Sequence, residues 1–213
     1  MLISKKYQFI FIHIPKVAGQ SITKALDPFA TGKWQGKVSL VLSSRVGISQ
    51  STLNRLHLYH PHITAEELRT IIGKERFKSY FSFAIVRNPW EWQVSAYNYT
   101  LKNPRHRNHK LIKSLGSFEQ YLKWLCNQEQ TNFCQKKFIF SHSGEQLVKY
   151  IGKYERLDQN FKLICSKLGI STELPQLNVY RNKDYKTYYN DKTIQLVRNF
   201  FSSDIETFDY DFD

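Results

Sequence analysis

Tyr7-Gln8-Phe9-Ile10-Phe11-Ile12-His13-Ile14-Pro15-Lys16-Val17-Ala18-Gly19-Gln20-Ser21-Ile22 is the stretch that decides the fold. Its first half is aromatic and β-branched, which predicts a buried strand from Tyr7 to His13. Pro15 and Gly19 punctuate a turn over Ile14 to Gly19. From Gln20 to Leu26 the spacing of Ile22, Ala25 and Leu26 predicts a helix with one apolar face. A strand that turns directly into a helix sets the helix's first N–H groups, and the positive end of its dipole, just beyond the strand's carboxyl end. Ala18 and Gly19 are small enough to let backbone N–H groups approach a ligand. Lys16 adds a full positive charge and Ser21 a hydroxyl. These are the parts of an anion cradle, and equally the parts of an ordinary strand–turn–helix with an exposed lysine. The Walker pattern GxxxxGK[ST] is absent, since the lysine precedes the glycine.

The same alternation continues along the chain. Thr64-Ala65-Glu66-Glu67 is a capping box that opens a helix through Leu68, Ile71 and Ile72. Tyr80 to Val86 predicts a second buried strand, and Pro89 a first helical position for a helix running to about Leu101. Lys102 to Lys113 reads as a basic, histidine-containing loop. Ser117 to Asn127 is a helix with Phe118, Tyr121, Leu122 and Leu125 inward. Val148 to Leu157 reads as a further strand, with Asp158 capping a helix to Leu168 that Gly169 ends. A last helix spans Asp191 to Phe201, followed by an acidic, aromatic tail that packs back. Residues 28 to 55 carry no clear pattern. Strands alternating with helices make this an α/β chain with a central parallel sheet flanked by helices. Ligands in such sheets bind at the strands' carboxyl ends. The absence of repeats and linkers points to a single domain over 1–213.

A second strand end repeats the theme. Ser82-Phe83-Ala84-Ile85-Val86 runs into Arg87-Asn88-Pro89, and the helix beyond carries Ser95 and Tyr97. An arginine at a strand's carboxyl end makes bidentate contacts with a phosphate, and Ser95, eight positions on, reaches the same ligand if that face lines the cleft. The alternative is that Arg87 pairs with Glu91, one turn away.

Composition narrows the class. In 213 residues there are 31 Lys and Arg against 18 Asp and Glu, a formal charge of +13, which attracts anions without naming one. The 13 Tyr and 15 Phe argue against disorder. Cys126, Cys134 and Cys165 are an odd set without CxxC spacing, which suggests neither a disulfide framework nor a metal site, and a reducing compartment. The apolar run before Pro15 is too short to span a bilayer and does not continue as a signal sequence would, so no membrane span and a cytoplasmic location are expected.

Taken together, these segments resemble the sulfotransferase superfamily, above all the branch with heparan sulfate 2-O-sulfotransferase, other carbohydrate sulfotransferases and bacterial relatives. The likeness rests on Ile14-Pro15-Lys16-Val17-Ala18-Gly19-Gln20-Ser21-Ile22, on Ala84-Ile85-Val86-Arg87-Asn88-Pro89-Trp90 with Val94-Ser95-Ala96-Tyr97, and on Tyr59-His60-Pro61-His62 ahead of the helix at Ile63-Thr64. Gly152-Lys153-Tyr154-Glu155-Arg156-Leu157-Asp158-Gln159-Asn160-Phe161 resembles the family's E-x-L-x-x-D-F block, and Leu174-Pro175-Gln176-Leu177-Asn178 its P-x-L-N element. Gln20 departs from the usual Thr or Ser, and the N-terminal anchor of the Golgi relatives is not expected here.

The resemblance implies a P-loop NTPase-like fold and transfer of a sulfuryl group from 3′-phosphoadenosine 5′-phosphosulfate (PAPS) to a hydroxyl by in-line displacement. The acceptor it implies is a carbohydrate, anionic or neutral, and no nucleic acid partner is expected. Lys16, Ala18, Gly19, Gln20, Ser21 and Ile22 would hold the 5′-phosphosulfate, with Lys16 stabilising the leaving oxygen. Arg87 and Ser95 would hold the 3′-phosphate, and no metal is expected. A neutral histidine suits the base, since the reference pKa of histidine is near 6.5. His62, directly before the helix, is the first choice and His60 the second; His13 is expected to be structural. Arg181 and Lys183 would close over the nucleotide, and Lys102, Arg105, Arg107, Lys110 and Lys113 either guide an anionic acceptor or form a solvated loop. Two other functions fit the charge and the motifs less closely: a P-loop-like nucleotide kinase, and a basic polyanion-binding protein without catalysis.

Overall fold

A computed structural model describes residues 1–30, 62–128, 134–175 and 184–212. The chain forms two compact units, one of residues 1–86 with 137–178, the other of residues 87–136 with 179–213.

The first unit is built on a four-stranded sheet in the order β1 (Leu2–Ser4), β2 (Phe9–Ile12), β3 (Phe81–Val86), β4 (Tyr150–Lys153). The strands β2, β3 and β4 are parallel, with Phe9 opposite Phe81 and Ile12 opposite Ala84, then Phe83 opposite Tyr150 and Val86 opposite Lys153. Phe9, Ile10, Phe11 and Ile12 are all fully buried, as expected of a parallel strand covered on both faces. The sheet is mixed rather than wholly parallel as expected. A turn at residues 5–8, with Gln8 at φ 49°, folds β1 back antiparallel on β2, Leu2 opposite Phe11. Three residues are too few to announce a strand by periodicity.

Helix α1 (Gly19–Leu26) follows β2, and α2 (Ala65–Ile72) opens with the expected capping box, Thr64 and Glu67 satisfying each other's backbone N–H. Gly73 then leads into α3 (Lys74–Ser79), which precedes β3. The expected strand from Val148 to Leu157 is shorter, covering Tyr150–Lys153, and a 3₁₀ turn at Tyr154–Arg156 runs straight into α7 (Leu157–Leu168). Asp158 is therefore inside the first turn of α7 rather than its cap, where its charge still meets the positive end of the dipole. Asn160 is what stops the strand. Its amide donates to the Lys153 carbonyl at 2.7 Å while its oxygen accepts from Tyr150 Oη at 2.6 Å. Gly152 makes room for this clasp, since a Cβ there would stand 2.7 Å from Ile85 Cδ1 and 3.0 Å from the Asn160 side chain. Gly169 ends α7 in the left-handed conformation, as expected.

The second unit is helical. Asn88 caps α4 (Pro89–Lys102), its side-chain oxygen accepting from the N–H of Trp90 at 3.0 Å. The expected loop from Lys102 to Lys113 is a loop only as far as Asn108. Residues His109–Ser114 form α5, seated on the end of α4 by His109 Nδ1, which donates to the Thr100 carbonyl at 2.9 Å, and by buried Ile112. Next come α6 (Phe118–Cys126), capped by Ser117, and α8 (Asp191–Phe200), opened by a capping box between Asn190 and Thr193. Helix α9 (Ser202–Phe208), unexpected from the sequence, lies in what was read as tail. Beyond it Phe212 packs edge-on against Trp90 at 5.7 Å and Tyr189 at 5.3 Å, so the tail does fold back. Aromatic edges fill this core: Phe118 meets Tyr97 at 5.3 Å and Tyr189 at 5.1 Å, geometry in which such rings attract.

Candidate active site

In the first unit, β2, β3 and β4 point their carboxyl ends to one edge of the sheet, and the Lys16 turn leaves that edge from β2. Fully buried Ile14 and Val17 tie the turn into the core on both sides of Lys16. Lys16 has φ 64° and Ala18 φ 60° with ψ 20°. Two non-glycine residues in the left-handed region within three positions cost about 1–2 kcal/mol each. Such backbone also turns successive N–H groups into a concavity that suits an anion. Helix α1 starts at Gly19 behind Ala18, an N-cap residue with no capping side chain, and its positive end adds to the same place. Ser21 and Ile22 are buried and Gln20 is exposed.

Gly19 has a further reason that the sequence does not show. A Cβ at that position would lie 1.8 Å from His13 Nε2. The space a side chain would occupy is filled by the His13 ring, and close approach of protein to protein is what requires the glycine.

His13 is the hinge of a histidine pair. Its ring stacks on Phe11 at 5.7 Å and meets the His62 ring edge-on at 4.6 Å. The His13 carbonyl, an acceptor only, lies 2.9 Å from His62 Nδ1. That nitrogen therefore carries the hydrogen, and in the neutral ring the lone pair sits on Nε2. Burial pushes the His13 imidazole well below the usual histidine range, and nearby positive charge, His62 included, lowers it further. His13 is thus neutral at neutral pH. The structure brings His62 from 49 positions away onto the residue that starts the Lys16 turn. His60 lies outside the described residues, as do Arg181, Lys183 and Gln176 to Asn178.

Arg87 is the first residue of the second unit. Its Nη2 donates to Glu91 Oε1 at 2.7 Å, with the two side chains 6% and 25% exposed. The pairing left open by the sequence is therefore made. Ser95, half-buried, is one turn beyond Glu91 on the same face of α4. Lys102, Arg105, Arg107, Lys110 and Lys113 are exposed, in a stretch with no acidic residue between Glu91 and Glu119.

Two residues of this unit escaped the sequence reading. Gln135 is fully buried and grips the Arg87 backbone from both sides, accepting from its N–H at 2.9 Å and donating to its carbonyl at 2.8 Å. Asp204, also fully buried, accepts from the N–H groups of Gln135 at 2.7 Å and Lys136 at 2.9 Å. Nothing in the spacing of residues so far apart links them. Burial pushes the Asp204 carboxyl up to about 6, against the opposite pull of those two N–H groups. The folded carboxyl thus holds its proton more tightly than the unfolded one. The stability this contributes is fully present below the ordinary value of 3.8 and is lost as pH rises through about 6. Urea unfolding of the wild type, relative to Asp204→Asn, is expected to show a loss of about 2 kcal/mol between pH 4 and pH 7. A difference independent of pH would contradict a buried, ionisable Asp204.

Among the described residues no helix is long and apolar enough to cross a membrane, and no group of three or more His, Cys, Asp or Glu is placed to hold a metal ion. Over 120 residues the chain is 28% identical to an uncharacterized protein of Archaeoglobus fulgidus, an alignment covering 56% of this chain and 93% of that one. A family model described as the sulfotransferase family matches residues 1–211. With an α/β sheet, a lysine turn at the carboxyl end of its second strand and a match over nearly its whole length, the chain belongs to the sulfotransferase family, whose chemistry is sulfuryl transfer.

Proposed function

We propose that the donor is PAPS and the acceptor a hydroxyl, with His62 as general base. The observation that carries this is the turn Lys16–Ser21, with its two left-handed residues and the helix start behind them, standing next to a histidine whose Nδ1 is tied to the His13 carbonyl. The turn fits the phosphosulfate of such a donor: Lys16 supplies charge, the backbone N–H groups of Gly19 and Gln20 and the hydroxyl of Ser21 supply donors, and no wide side chain intrudes at Ala18. When bound, PAPS supplies the activated sulfuryl group. Lys16 is suited to offset the negative charge that develops on the leaving phosphate, an electrostatic role. His62 Nε2 accepts the acceptor's proton, while the Nδ1 bond keeps the ring in the right tautomer.

Arg87 and Ser95 take the 3′-phosphate in this reading. The Glu91 carboxylate orients the Arg87 guanidinium, which offers several N–H donors in a fixed fork. A carbohydrate is the acceptor favoured by the resemblance of the motifs, and the exposed cations from Lys102 to Lys113 favour an anionic one.

Thermal unfolding tests the donor. Adenosine 3′,5′-bisphosphate is expected to raise the melting temperature without metal, by the stabilisation that binding to the folded state gives, about 2.7 kcal/mol at a hundredfold excess over Kd. ATP with Mg²⁺ is expected to leave it unchanged. The reverse pattern would replace this reading with nucleotide kinase chemistry.

A further inference from the structure

We propose that Gln135 is a positioning residue for Arg87 and that Asp204 holds Gln135 in place, so that a buried polar relay sets where the arginine presents its guanidinium. The inference rests on the reading of Arg87 as the 3′-phosphate ligand.

Arg87 follows the last residue of β3, where a chain leaving a sheet loses its ladder partners. Its N–H and carbonyl are buried polar groups that need new ones. Gln135 supplies both from a single side chain. A primary amide carries a carbonyl and an N–H, as a peptide unit does, and here it pairs with Arg87 as a neighbouring strand would. Only one orientation of the amide satisfies both bonds, with Oε1 toward the Arg87 N–H and Nε2 toward the Arg87 carbonyl. The backbone at Arg87 is thus fixed in two directions, and the side chain is fixed at its far end by Glu91.

The relay continues inward. Gln135 lies in an irregular stretch just before a 3₁₀ turn (Lys136–Phe138), with no helix or ladder to hold its own N–H. Asp204, on α9, takes that N–H on one carboxylate oxygen and the N–H of Lys136 on the other. A carboxylate bound to backbone N–H groups is a strong and directional anchor. Half-satisfied, such a network costs more than an apolar one would, which argues that the three residues act together. The effect predicted for losing Gln135 is not general unfolding but a displaced Arg87.

Two ligands separate these outcomes. Adenosine 3′,5′-bisphosphate and adenosine 5′-monophosphate differ by the 3′-phosphate alone, so the dissociation constant of the monophosphate divided by that of the bisphosphate is a ratio that reports that phosphate's contacts. Gln135→Met removes both bonds at similar volume; Gln135→Glu keeps the acceptor for the Arg87 N–H but turns a carboxylate oxygen on the Arg87 carbonyl. Both are expected to reduce the ratio by about tenfold or more, the range for one charged hydrogen bond, while 5′-monophosphate binding is held. In turnover, KM for PAPS rises and kcat is retained. Gln135→Asn, which keeps the amide on a shorter arm, is expected to fall between, and serves in its place if the other two do not fold. A ratio left intact in the Gln135 variants while Arg87→Ala collapses it would overturn the relay alone. Equal weakening of both ligands would overturn it too, reducing Gln135 to a structural residue. If Arg87→Ala itself leaves the ratio unchanged, the phosphate assignment fails and the relay with it.

Discussion

Asparagine in place of His62 is expected to lower the transfer rate by about 10²–10⁴-fold, the range for loss of a general base, with the fold kept. Asparagine is chosen because its amide N–H stands close to where Nδ1 stood, so the 2.9 Å bond to the His13 carbonyl is replaced rather than cut. What disappears is the lone pair on the far side of the ring. The rate–pH profile should change with it. A neutral histidine base makes the rate climb as it loses its proton, and that acidic limb is expected to vanish in His62→Asn. His62→Ala should lose as much rate and some stability besides, because it also strands the His13 carbonyl and removes the edge-on ring contact at 4.6 Å. Steady-state kinetics with PAPS and thermal unfolding measure both. Activity within a few-fold of wild type, with the limb intact, would move the base elsewhere, His60 first.

Residues that act through local chemistry were readable in the sequence. The strand at Phe9–Ile12 declares itself by an unbroken apolar run, the capping box at Thr64 by its own four residues, and the stop at Gly169 by a glycine where the left-handed region is needed. What could not be read is set by contacts across the chain. Gly19 looks like any phosphate-loop glycine until the His13 ring is found in its side-chain space. The strand after Val148 looks long until Asn160, from the next helix, takes the Lys153 carbonyl and ends it. The helix at His109–Ser114 hides among charges because its seat is one buried isoleucine and a histidine bond to Thr100. The site divides the same way. The candidate charges were visible as residue types next to strand ends, whereas Gln135 and Asp204 carry no motif, being polar residues whose meaning comes from complete burial. His13, expected to be structural, lends its own carbonyl to the His62 bond, and its ring is kept neutral by burial.

The Lys16 turn carries the second large effect, because side chain and backbone can be separated there. Lys16→Ala and Lys16→Gly both remove the ammonium, and each is expected to slow transfer by about 10²–10³-fold, as loss of one preorganised electrostatic contact does. Their stabilities should differ. Position 16 has φ 64°, a conformation that costs an L-residue with a Cβ about 1–2 kcal/mol and glycine almost nothing. Lys16→Gly is therefore expected to be more stable than Lys16→Ala by about 1 kcal/mol, after the greater freedom glycine has in the unfolded chain is deducted. Urea midpoints of the two variants decide this without reference to activity. A chain that keeps a lysine in a strained conformation, where glycine would relax it, is holding the charge at that spot for something other than folding. Two equally stable variants would remove the strain, and with it the inference that the turn is shaped for an anion. Undiminished transfer in both would instead leave the turn intact and take Lys16 out of the chemistry.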